Sequence, residues 1–172
     1  MSWDLLNRAR SEQGALDQLF REQADRVYRV AWGVLQNRSA ADDVVQDVFV
    51  RLAKNRRLHF RKAKFTTWLH TVTLNAARQH LRKHRKELAM APEDLPVPDH
   101  AGAESSESHM TLNEVAAQLQ GLSQRQREVF VLRMLEGYST KETAQICRCG
   151  QASVKTHLHR AMNLLKENLN HE

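Results

Sequence analysis

Ten lysines and arginines stand between positions 56 and 86 with no acid among them: Arg56, Arg57, Arg61, Lys62, Lys64, Arg78, Arg82, Lys83, Arg85 and Lys86. Phe60, Phe65 and Trp68 are interleaved, and Asn75 and several threonines add hydrogen-bonding groups. Positive charge beside flat stacking faces is what a single nucleic-acid strand requires. The plain alternative is that Phe65 and Trp68 belong to a core and the charges to a solvated face. That reading is preferred for Trp68. For the charges it is weaker, because a one-sign run repels itself unless a polyanion offsets it. A second segment, STKETAQICRCGQASVKTHLHRA (139–161), spells a short capped helix, a tight turn and a second helix. Lys155, Thr156, His159 and Arg160 give that second helix a polar face able to reach base edges and phosphates in a major groove. Its plain alternative is a helical hairpin with a solvated face.

Two other groupings invite chemistry and do not support it. Cys147, Cys149, His157 and His159 have the spacing C-x-C-x7-H-x-H, which matches no standard zinc pattern. Two residues apart on a helix, the histidines point about 200° from one another. The cysteines fall where the fold wants apolar residues, and free cysteine behaves as a small hydrophobe. Asp42 and Asp43 diverge by about 100° and lack a nucleophile or third ligand. No cofactor, metal or catalytic residue is expected.

The elements that must position these residues are helices. Leu16, Leu19, Phe20, Ala24, Val27, Val30, Ala31, Val34 and Leu35 recur at helical spacing and predict a helix from about 14 to 36. Asn37-Arg38 reads as a turn and Ser39 as the next N-cap, with Asp42 at the box position. That helix turns Val44, Val45, Val48, Phe49 and Leu52 inward. Residues 55–64 read as a basic loop. A third helix begins near Thr66 and buries Trp68, Leu69, Val72, Ala76 and Leu81. All three prolines lie in the segment APEDLPVPDHAGAESSES (91–108), which reads as a flexible linker. Helical patterning resumes at Met110 with Leu112, Val115, Ala116 and Leu119. Ser123 with Gln126, and Ser139 with Glu142, form capping boxes. Between them Val129, Phe130, Leu132 and Leu135 face inward, and Gly137 ends the helix. A last helix runs from about 151 to 168.

Charge divides the chain at the same places. Residues 1–90 carry +9, residues 91–110 carry −5 and residues 111–172 carry +2. The fold expected is all-α: two small helical domains, 1–90 and 110–172, joined by a flexible acidic linker at 91–109. No apolar run approaches the roughly 18 residues that span a bilayer, and the N-terminus has no signal-peptide core, so a cytoplasmic protein without membrane insertion is expected.

The segments ADDVVQDVF (41–49) and FTTWLHTVTLNAARQHLRKHRK (65–86) resemble region 2 of extracytoplasmic-function (ECF) sigma factors, and LSQRQREVFVLRMLEGYSTKETAQICRCGQASVKTHLHRA (122–161) resembles region 4. The likeness covers nearly the whole chain outside the linker and the first dozen residues. A region 4 helix-turn-helix alone also resembles LuxR-type regulators. The resemblance implies a subunit that binds core RNA polymerase through its β′ clamp helices and β flap and directs promoter recognition and melting. It implies a polymerase-docking face at Asp42, Asp43, Gln46, Asp47 and Phe49, with Phe49 also holding the fold. It implies contact with the −10 element by Phe60, Lys64, Trp68, Asn75, Arg78, Arg82, Lys83 and Arg85, with Asn75 helping to hold a flipped-out base. It implies −35 contact by Ser153, Lys155, Thr156, His159 and Arg160. An anti-sigma factor, often membrane-tethered, is the implied inhibitor. Four positions depart from the family pattern: Gln79, Arg148 where glycine is usual in the turn, Gly150 at the cap, and His157 for a common arginine. The competing readings are a stand-alone helix-turn-helix regulator, a metal- or thiol-sensing switch built on Cys147 and Cys149, and, last, an enzyme such as a nuclease.

Overall fold

The computed structural model describes residues 13–54, 62–90 and 118–170. These contain helices α1 (Gln13–Leu35), α2 (Arg38–Lys54), α3 (Lys62–Met90), α4 (Gln124–Phe130), α5 (Thr140–Cys147) and α6 (Gln151–Asn170). A π-helical turn, Val131–Leu135, continues α4. No strand occurs among the described residues. Residues 55–61 of the loop expected at 55–64, the linker, most of the helix expected from Met110, and Phe60 lie outside the described residues, while 62–64 are helical.

Helices α1, α2 and α3 pack as a three-helix unit. Leu19, Val27, Val30, Ala31 and Val34 of α1 meet Val44, Val48 and Leu52 of α2 and Leu69, Leu74 and Ala77 of α3 in one buried cluster. The heptad-like stripes anticipated for α1 and α2 are therefore the core. Phe20 departs from the stripe: it stands 42% exposed and meets Phe49 edge-on at 4.7 Å. The α1–α2 corner is tighter than expected. Gln36 takes a left-handed conformation, and Asn37, not Ser39, caps α2 by accepting the Ala40 N–H at 2.8 Å. Asparagine is at least as good a cap as serine, so the earlier position wins. Helix α3 likewise begins at Lys62 rather than Thr66. Phe65 is buried and lies one turn before buried Leu69, so core packing draws the preceding turn into the helix.

In the second unit both expected capping boxes are present. The Ser123 and Ser139 hydroxyls accept from the Gln126 and Glu142 N–H groups, and those two side chains reach back to the cap N–H groups. The π turn changes the register of the inward face. Glu136 donates its N–H to the Val131 carbonyl at 3.0 Å, five residues back. The extra residue rotates Leu135 outward to 46% exposure, although periodicity had placed it inside. Val129 and Leu132 are buried as expected, while Phe130 lies partly buried on a second cluster of Leu119, Leu122 and Ala161. Gly137 takes the positive φ that the end of this segment requires.

Helices α5 and α6 form the helix-turn-helix. Ala144, Ile146, Cys147 and Val154 are buried where the two helices dock. The turn runs through Arg148 at φ 55°, ψ 54°, a left-handed residue without glycine's freedom.

The two units share one core. Val129, Val131, Leu132, Tyr138, Ala144 and Ile146 join the cluster made by α1–α3. Gly33 is the point of closest approach: a Cβ there would fall 2.5 Å from a Val131 methyl.

Candidate nucleic-acid interface

On α2, Asp42, Asp43, Gln46 and Asp47 are exposed along one side, while Phe49 is buried. The polar members form a surface; Phe49 supports it from inside the fold. His80 of α3 approaches Asp43, Nε2 to carboxylate oxygen 3.6 Å.

On α3, Arg82, Lys83 and Arg85 are exposed, whereas Trp68, Asn75 and Arg78 are partly buried. Trp68 stacks on Phe65 at 6.2 Å and packs against the core, in line with the structural role preferred for it. Lys64 falls within α3, but its side chain is outside the described residues. Arg78 is engaged across the unit boundary. Its Nε and Nη2 donate to the two Glu128 oxygens at 2.9 and 2.7 Å. Glu128 is fully buried and also accepts from Gln124 and Arg125. Burial alone would raise its pKa. The hydrogen bonds from Arg78 and Gln124 and the charges of Arg78 and Arg125 outweigh that, so the carboxyl sits below its ordinary value.

A second polar cluster ties the units together. Glu136, after the π turn, receives Arg26 at 3.1 Å and Arg29 at 3.2 Å from α1. The Tyr138 hydroxyl shares a 2.6 Å hydrogen bond with His70 Nδ1 of α3. Burial pushes the His70 pKa down to about 4, so the ring is neutral at pH 7 and its 3.9 Å approach to Glu136 is not an ion pair there. Arg127 donates to the Val34 carbonyl of α1 at 3.0 Å.

On α6, Ser153, Lys155, Thr156, His159 and Arg160 are all exposed. Val154 and Ala161 anchor the opposite side of the helix in the fold. The structure thus leaves the recognition-type face open while Asn75 and Arg78 stand beside the second unit. Asn75, Arg78, Arg82 and Arg85 line a cleft of about 750 Å³ with Arg51, Gln79, Gln124, Arg125 and Arg148.

Sequence reading did not single out Arg51, Arg125, Glu128 or Glu136. Glu128 had a signal: it lies four residues before buried Leu132 on the inward side of α4, where a carboxylate demands a cation. The cysteines are packing residues. Cys147 is buried, and burial pushes its thiol pKa up to about 12, away from the thiolate that redox or metal chemistry uses. Among the described residues no group of His, Cys, Asp and Glu could hold a metal ion.

A three-helix unit with a cationic third helix, carrying a helix-turn-helix on its flank, defines a DNA-contacting helical protein. Sequence comparison narrows the class. Sigma-70 region 2 matches residues 19–87 and Sigma-70 region 4 matches residues 112–165. The RNA polymerase sigma factor CarQ of Myxococcus xanthus is 30% identical over 156 residues, covering 90% of this chain and 89% of the relative. The ECF RNA polymerase sigma factor SigE of Mycolicibacterium smegmatis is 28% identical, covering 94% of this chain and 65% of the relative. Among solved structures, CnrH in complex with the cytosolic domain of CnrY superposes with TM-score 0.71 at 26% identity, over 99% of this chain and 98% of that one. The sigma factor RpoE of Bartonella quintana, in complex with the anti-sigma factor NepR, shares the fold at TM-score 0.78 and 23% identity, over 90% of this chain and 96% of that one. The chain belongs to the ECF sigma factors of the sigma-70 family.

Proposed function

We propose that this sigma factor docks on core RNA polymerase through the α2 face and divides promoter reading between its two units. Asp42, Asp43, Gln46 and Asp47 present the polymerase-facing groups, with Phe49 holding their helix in place. Asn75 of α3 takes a single-stranded −10 base while Arg78, Arg82, Lys83 and Arg85 track the backbone, and the Phe60–Trp68 stretch assists strand opening. The α6 face of Ser153, Lys155, Thr156, His159 and Arg160 reads duplex −35 DNA. Bond making belongs to the polymerase. An anti-sigma protein is the natural inhibitor, by likeness to the NepR-bound relative.

The observation that carries this reading is the pairing, in one chain, of a sigma region 2 whose third helix is cationic with a region 4 whose second helix is open along its polar face. A core-polymerase pull-down combined with run-off transcription from a genomic fragment library tests it. Discrete transcripts are expected, reduced at least about tenfold by Asp43→Ala, through core binding, and by Asn75→Ala, through strand opening. Failure to bind core, with tight duplex binding by the protein alone, would instead make it a stand-alone regulator.

A further inference from the structure

Six arginines from four places in the chain converge on the cleft between the units: Arg51 of α2, Arg78, Arg82 and Arg85 of α3, Arg125 of α4 and Arg148 of the α5–α6 turn. No carboxylate lines it. Glu128 lies behind, and its one charge is shared by Arg78 and Arg125. Among the described residues, Arg51, Arg82, Arg85 and Arg148 have no carboxylate at ion-pair distance. Arg51 and Arg85 meet only the neutral amides of Gln79 and Gln124, at 3.0 and 3.3 Å. Gathering this many like charges raises the energy of the closed arrangement unless an anion enters. Arg148 brings a sixth guanidinium from the turn of the helix-turn-helix, in a left-handed conformation where glycine would be relaxed.

The size of the cleft decides what kind of anion. About 750 Å³ is the volume of a small-molecule site. A nucleic-acid strand carries one charge per nucleotide, spread along its length. Three or four linked phosphoryl groups bring more charge in less space, and arginine forks suit phosphate oxygens.

We propose that this cleft binds a small polyphosphate anion, inorganic or carried by a nucleoside, and that the anion clamps regions 2 and 4 together. Arg51, Arg82 and Arg85 hold it from one side and Arg148 from the other. The clamp uses residues assigned above to −10 DNA, so it excludes that DNA while bound. The binding site itself does not depend on the assigned promoter roles.

The test is titration calorimetry of the full chain with tripolyphosphate in divalent-free buffer at fixed ionic strength, beside Arg51→Gln, Arg148→Gly and a distant control, Arg21→Gln. One anion per chain is expected, about fivefold weaker or more in each of the first two variants and unchanged in the control. Arg148→Gly relieves backbone strain, so weaker binding by that variant cannot be put down to misfolding. Unchanged affinity in either cleft variant, or several anions per chain, would overturn the site. Nucleoside triphosphates binding like tripolyphosphate would assign recognition to the phosphates alone; at least tenfold tighter binding would add a nucleoside subsite. Both support the site. The clamp is read from fluorescent labels on the two units: saturating anion should hold the labels close. No change in their separation would overturn the clamp. Run-off transcription by the same variants without polyphosphate reports on sigma activity separately.

Discussion

Arg148 holds a left-handed conformation that disfavours its side chain, and Arg148→Gly is expected to stabilise the chain by about 1 kcal/mol. That appears as a rise in Tm of about 2–4 °C for a chain of this size. His70 gives a pH dependence. Its folded pKa of about 4 lies below the ordinary histidine value of 6.5 because the ring is buried. Between those values the unfolded chain binds the proton and the folded chain does not, so stability falls as pH drops from about 6.5 towards 4 and is flat above. At pH 5 the loss from this one residue is about 2 kcal/mol, and His70→Gln should flatten the pH profile of urea midpoints in that window. Its Tyr138 partner sits in the other unit, so the acid effect should also loosen the contact between units.

At the level of elements, helix ends are set by local chemistry and helix faces by packing. The Ser139–Glu142 box starts the short helix α5, which has little else to nucleate it. Ser139→Ala should cost about 1 kcal/mol, measured as a lower denaturation midpoint with an unchanged slope. The α1–α4 crossing depends on Gly33. In an isolated α1, Gly33→Ala would favour the helix by about 1 kcal/mol. In the closed arrangement the new Cβ meets Val131 at 2.5 Å, and overpacking of this kind costs about 1–3 kcal/mol. The substitution therefore favours separation of the units while strengthening the helix that carries it. Energy transfer between labels on α1 and α6 should fall in Gly33→Ala, without loss of helical circular dichroism.

The two described units are closed on one another, and their proposed task requires them to open. The −10 and −35 elements are centred about 25 base pairs apart, which is roughly 85 Å of duplex. A compact chain of this length has a radius of gyration of only about 16 Å. The two units cannot span both elements while sharing one core. Residues 91–117 connect them, and fully extended they could reach about 90 Å, which is sufficient. What keeps the units together includes two polar ties. Glu128→Gln leaves Arg78 with most of its side chain buried and no counter-charge, and should weaken the closed arrangement by about 3 kcal/mol. If closure restrains activity, Glu128→Gln should bind core polymerase more tightly than the wild type at equal concentration. Weaker core binding by that variant, with the chain still folded, would mean that closure does not restrain it.

The sequence by itself determined the local devices: the helical stripes of α1 and α2, both serine capping boxes, Gly137 at its positive φ, the helix-turn-helix with buried Ala144 and Val154, and the exposed face of α6. These depend on contacts within a few residues, or on one residue's own conformational preference, and a linear pattern carries that information. Where local choices were close in energy, tertiary packing settled them, as at the Lys62 start of α3. The outward turn of Leu135 came from a π bulge that periodicity cannot anticipate. The joining of the units was beyond the sequence altogether. Glu128 and Arg78 are 50 residues apart, and Glu136 and Arg26 are 110 apart. A charge pattern shows that each is present, but only the folded chain decides which meet, because ion pairing has no sequence period and follows from how two helical surfaces fit.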